Sequence, residues 1–179
     1  MKEAPVESTL KLEVRSVRQL LDHESTPLIE PRIHPDVAEV LWTDALQHAS
    51  SQQFRIEIAA PVVDAGQEEE VKNAVRYHYA WETEKASEEI EETLRDGRKS
   101  LVVGLIVVSL LLALAEAILV FGSGRFLTAI SESLIIFAWV AIWSPAEQLL
   151  YAHIPIRRRR KLAQKLSEAK VTLSASITR

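Results

Sequence analysis

Three short stretches of the chain alternate apolar and polar side chains, and two long ones do not alternate at all. Leu10, Leu12 and Val14 interleave with Lys11, Glu13 and Arg15. Phe54, Ile56 and Ile58 interleave with Arg55 and Glu57, and Val171, Leu173, Ala175 and Ile177 with Thr172, Ser174, Ser176 and Thr178. A period of two marks a strand with one buried face, so the pattern predicts strands over Thr9–Arg15, Phe54–Ala59 and Val171–Ile177. Between the first two, Val37, Val40, Leu41 and Ala45 recur at helical spacing behind Pro35 and Asp36, residues suited to a first turn. That spacing predicts an amphipathic helix over Asp36–Ala49, with Trp42 packed beside its stripe. Ser25–Pro35 carries Pro27, Pro31 and Pro35 and reads as a loop.

The two unalternating stretches are Leu101–Phe121 and Phe126–Trp143, separated by Phe121-Gly-Ser-Gly-Arg125. About 20 apolar residues cross a bilayer as a helix, and about 18 begin to suffice. The first stretch has fifteen Leu, Ile, Val or Phe residues and one ionisable group, Glu116. At the bilayer centre those side chains contribute about −5 to −9 kcal/mol, against ~3 kcal/mol for one carboxylate. The first span therefore inserts alone. The second has nine such residues with Thr128, Ser131, Glu132 and Ser133, and inserts as the returning arm of a hairpin.

Upstream, Gln67–Lys99 lacks proline, is rich in Glu, Ala, Lys and Arg, and predicts a helical stalk leading into the first span. Unbroken to Phe121, it would be about 80 Å long at 1.5 Å per residue. Downstream, Ser144-Pro-Ala-Glu147 has the form of a capping box and predicts a new helix, broken at Pro155 and followed by a basic helix over about Ile156–Ala169.

Charge sets the orientation. Arg95, Arg98 and Lys99 abut the first span, and Arg157, Arg158, Arg159, Arg160 and Lys161 follow the second, while the tip carries Arg125 alone. The positive-inside bias then places both termini in the cytoplasm. Trp139, Trp143 and Tyr151 are of the aromatic types that favour the membrane interface. The formal charge of −4 divides into about −9 through Ser100 and about +7 from Ala152 onward. The basic tail can dock on the acidic N-terminal region, touch anionic lipid, or do both. The chain has no cysteine, which excludes disulfides and thiolate chemistry. Met1–Leu10 is polar, so the first span is expected to act as the insertion signal.

Candidate chemistry centres on Glu116 and Glu132, which a helical hairpin sets at similar depth, roughly 7–10 Å below the tip. Ser109, Ala113 and Ala117 form a ridge of small residues that would allow close packing against Ala129 and Ser133. Facing carboxylates would share a proton or hold a cation. Alternatively, one snorkels to Arg125 while Ser131 or Ser133 satisfies the other, or both make contacts in an oligomer. His78 and Glu82 stand four apart on the stalk, too few ligands for a metal without a further source. No nucleophile elbow, phosphate loop or Ser/His/Asp order appears, so no catalytic role and no cofactor are expected. Beside a span, the Arg157–Lys161 run reads as topology and lipid contact rather than nucleic-acid binding.

Leu94-Arg-Asp-Gly-Arg-Lys-Ser-Leu101, Ala138-Trp-Val-Ala-Ile-Trp-Ser-Pro-Ala-Glu-Gln-Leu-Leu-Tyr151 and Ile154-Pro-Ile-Arg157 resemble a family of uncharacterised bacterial two-span integral membrane proteins; Pro27-Leu28 and His78-Tyr79 extend the likeness weakly. The resemblance implies a hairpin topology and the bacterial inner (plasma) membrane, and no activity.

The expected architecture is an α+β membrane protein. It comprises a cytoplasmic α+β region over 1–66, a stalk over 67–99, a transmembrane hairpin over 100–143, interfacial and basic helices over 144–169, and a strand over 170–179 that joins the N-terminal sheet. The expected partners are membrane lipids and further copies of the chain, in a homo-oligomeric scaffold or interaction module. A cation- or proton-conducting oligomer is the alternative.

Overall fold

β1 (Glu7–Glu13), β2 (Gln53–Ala60) and β3 (Lys170–Ala175) form one sheet in the order β1-β2-β3, and both pairings are parallel. The structure, a computed structural model, describes residues 7–21, 32–49, 51–61, 66–122 and 124–175. Pro27 and Pro31 of the expected loop, and the expected third strand beyond Ala175, lie outside these residues.

The strand from the far end of the chain does enter the N-terminal sheet. Leu10 is level with Ile56 and Ile56 with Val171, while Leu12, Ile58 and Leu173 form the next row. Parallel neighbours need a crossover, and crossovers are right-handed. In a sheet that advances steadily from β1 to β3, right-handed crossovers put both connections over the same face. That is why these parallel strands alternate instead of reading as continuous apolar runs. Leu10, Phe54, Ile56, Ile58, Ala60 and Val171 are buried, whereas Lys11 and Glu13 face away and stay exposed.

The buried face packs on three helices. α1 (Pro35–Gln47) supplies Leu41 and Ala45, the first turns of α2 (Gln67–Phe121) supply Val71, Ala74, Val75 and Tyr79, and α4 (His153–Ser167) supplies Leu162 and Leu166. Pro35 occupies the first turn of α1 as its composition requires, and His34 caps it, Nδ1 accepting from the Asp36 N–H at 3.3 Å. Lys165 of α4 donates to the carbonyls of Ala49 and Ser51 at 3.2 and 2.7 Å, tying α4 to the segment before β2. Trp42 is half-buried against the core.

The chain divides into two units, residues 1–86 with 158–179, and residues 87–157. α2 is one unbroken helix of 55 residues, so the stalk and the first apolar stretch are continuous. The second unit is an antiparallel pair made by the later part of α2 with α3 (Arg125–Glu147) and a π-helical segment (Gln148–Ala152).

The expected cap at Ser144 is not formed. α3 runs through Pro145, and a π turn follows at once. A proline inside a helix leaves the carbonyl four residues earlier without its N–H partner and crowds it. Here the disturbance is taken up by widening the next turn rather than by ending the helix. Pro155 falls in the first turns of α4, where its missing donor matters least.

Candidate functional site

The later part of α2 and α3 meet along a seam of small side chains. Ala115, Ser131, Ala138 and Pro145 are buried there, with Gly97 and Gly104. On α3 the buried positions recur every seven residues, the repeat of a coiled-coil seam. The glycines are close-approach points. A Cβ on Gly104 would lie 3.1 Å from Pro145 Cγ, and one on Gly97 would lie 2.8 Å from Leu149 Cδ2. Of the expected ridge, Ser109 and Ala113 are exposed and Ala117 is half-buried, and Ala129 and Ser133 are exposed, so the buried seam runs along a different face. Ser109 and Ser133 instead donate to the carbonyls of Leu105 and Ala129 on their own helices, each at 2.8 Å.

Glu116 and Glu132 are both exposed, each one residue past a buried seam position, Ala115 and Ser131. On a right-handed helix the next residue is rotated about 100°. Because the two helices run in opposite directions, those two rotations lead to the same lateral face of the pair. Their levels agree as well. Gly104 meets Ile142 and Pro145, and Gly122 meets Leu127, so counting from either contact brings Glu116 level with residues 130–133. The carboxylates therefore stand side by side on one outer face rather than across the seam. Among the described residues neither has a hydrogen-bond or ion-pair partner, and Arg125, exposed at the start of α3, reaches neither.

Trp139, Trp143 and Tyr151 are exposed by 73, 71 and 62%. Arg157, Arg158, Arg160 and Lys161 are exposed as well. Arg159 is committed, donating to Glu82 Oε2 at 2.7 Å.

That bond belongs to an open cleft of about 280 Å³ between α1, α2 and α4, lined by Ala38, Glu39, Trp42, His78, Tyr79, Glu82 and Arg159. Tyr79 is buried and donates its hydroxyl to the Ala38 carbonyl at 3.1 Å. Burial, with the Glu82 carboxylate adding to it, pushes that hydroxyl well above the ordinary tyrosine range. Burial also holds His78 below the ordinary imidazole value; Glu82 pulls it back up, and Arg32 lowers it further. One turn away the Arg32 guanidinium and the Lys85 ammonium lie 4.6 and 5.0 Å from the Trp81 ring centre, both within cation–π range. No third ligating side chain joins His78 and Glu82 among the described residues. The sequence pairs these two at i and i+4 but carries no sign of Arg159, which arrives from 77 residues further along.

The chain matches no protein-family model, no curated protein and no solved structure.

Proposed function

We propose that this chain is an integral membrane protein whose α2–α3 hairpin crosses the bilayer and carries the α/β unit on the cytoplasmic side, as a self-associating scaffold rather than an enzyme. One observation carries the reading. Two helices are long and apolar enough to span, and only 11% of the most apolar window of each is buried within the protein. A core helix of a soluble protein would have that surface covered. Here Val102, Val103, Ile106, Leu110, Phe126 and Phe137 are all more than half exposed, and lipid tails are the solvent in which this is favourable. Basic residues at both inner ends support the orientation, and the exposed Trp139, Trp143 and Tyr151 suit an interface.

Because the chain has no native cysteine, single cysteines report topology directly. Ser123→Cys in the tip is expected to react with a membrane-impermeant maleimide on intact cells, and Lys11→Cys only after lysis. Labelling of Lys11→Cys on intact cells, or release of the protein by alkaline carbonate, overturns the reading.

A second reading, conduction of protons or cations, draws on Glu116 and Glu132 sharing one face and one level. It requires flux in proteoliposomes that Glu116→Gln or Glu132→Gln lowers, and absence of flux from the unmodified protein removes it.

A further inference from the structure

The hairpin has two lateral faces, and they differ. One side carries Glu116 and Glu132, each one residue past a buried seam position, with Ser109 and Thr128 following the half-buried Val108 and Leu127 in the same sense. The other side carries Leu110, Leu114 and Phe137. Within the two apolar stretches its one polar side chain is Ser133, whose hydroxyl is closed on its own helix; Asp96 and Ser144 lie on this side beyond the ends of those stretches. The hydroxyls of Ser109 and Thr128 are likewise closed on their own helices, the latter on the Gly124 carbonyl at 3.3 Å. What remains open on the polar side is the pair of carboxyl groups. Ionisable side chains within a span face a bundle interior or a water-filled cavity and pair with one another. A two-helix hairpin has an interior only at its seam, and the seam holds Ala115, Ser131 and Ala138 instead.

Resting on the membrane reading above, we infer that this Glu116/Glu132 face is where a second copy of the chain docks, closing a four-helix bundle around a layer of four carboxyl groups. The geometry is self-complementary. Two hairpins inserted in the same orientation are related by a two-fold axis along the membrane normal, which preserves depth. That operation sets α2 of one copy against α3 of the other. Glu116 then meets Glu132 of the partner subunit at one level, twice per dimer. Each carboxyl group thereby gains a polar neighbour away from lipid, the pairing that ionisable side chains within a span adopt. No other pairing of two hairpins through a single face brings every carboxyl group to a partner. The opposite face, which carries no ionisable group within the two apolar stretches, is left to lipid.

The same operation sets Leu112 against Ile135 of the partner subunit, on the cytoplasmic side of the carboxyl layer. Its counterpart on the opposite face is Leu110 with Phe137. Two differently tagged copies are co-expressed in bacterial membranes, one with Leu112→Cys and the other with Ile135→Cys, and oxidised with copper phenanthroline. A disulfide-linked heterodimer is expected. The Leu110→Cys and Phe137→Cys copies are expected to stay at background. Subunit counting by single-molecule photobleaching in nanodiscs accompanies both. Crosslinking through Leu110 and Phe137, equal crosslinking on both faces, or none on either with two or more subunits counted, overturns the assignment of this face. A single subunit per nanodisc overturns self-association itself.

Discussion

The ring of Pro145 lies against Gly104, at the point where α3 passes α2 without ending. Neither residue would do alone. The proline distorts its helix, and the missing side chain across the seam makes room for it. Replacing Gly104 by Leu is expected to overpack the seam, at about 1–3 kcal/mol. Gly97→Ala behaves differently. The obstructing atoms there are the flexible Leu149 side chain, and alanine in place of glycine favours a helix by about 1 kcal/mol. Thermal denaturation in nanodiscs, read by protease resistance, is expected to rank Gly97→Ala at or above the unmodified protein and Gly104→Leu well below it.

His78 makes the stability of the α/β unit depend on pH. Its folded pKa lies below the ordinary value of 6.5, chiefly through burial. The unfolded chain therefore takes up the proton first, and stability is expected to fall as pH drops below about 6.5, levelling off beneath the folded pKa. His78→Gln removes this component while leaving the other side chains of the cleft in place. Urea denaturation between pH 7.5 and 5, followed by Trp42 and Trp81 fluorescence, is expected to show a shallower acid slope for the variant. An identical slope rules His78 out as the source.

Tyr79→Phe tests the bond that joins α2 to α1. Loss of the hydroxyl leaves the Ala38 carbonyl without this donor, at a cost of about 1 kcal/mol. The ring stays in place, so the expected change is a lower urea midpoint with an unchanged slope.

Arg159 and Glu82 form a short bridge, but their side chains are 43 and 19% exposed, so solvent screens it. The double-mutant cycle of Arg159→Ala and Glu82→Ala is expected to give a coupling of about 0.5–1 kcal/mol that shrinks as salt is raised. Additive effects would show that the bridge contributes nothing.

Truncation before Val171 removes β3. Val171 is buried and Leu173 partly so, and a fully buried side chain of this kind is worth about 1.5–3 kcal/mol. Against a typical total of about 5–15 kcal/mol, losing both together with the β2 pairing is expected to unfold the sheet. The truncated chain is expected to remain in the membrane fraction while residues 7–61 become protease-sensitive. Unchanged resistance would mean that β3 does not support the sheet.

Period and length alone determined much of this protein. Alternation at Leu10–Val14, Phe54–Ile58 and Val171–Leu173 located the three strands and the side of each that is buried, although β1 begins two residues before the expected Thr9 and ends at Glu13, short of Val14 and Arg15. Unbroken apolarity over Leu101–Phe121 decided that this stretch is a long helix. These are properties of one element and can be read from its own residues. How elements meet was settled only in three dimensions. The parallel order of the sheet depends on crossovers that no strand encodes, and Arg159 finds Glu82 only because α4 returns beside α2. In the hairpin, almost every position of both helices is apolar, so hydropathy cannot say which side of α2 faces α3. Shape decides instead. The helices close where Gly97, Gly104, Ala115 and Ala138 let them approach, while Ser109 and Ala113 of the expected ridge stay exposed. That rotation carried Glu116 and Glu132 out of the seam and onto one outer face.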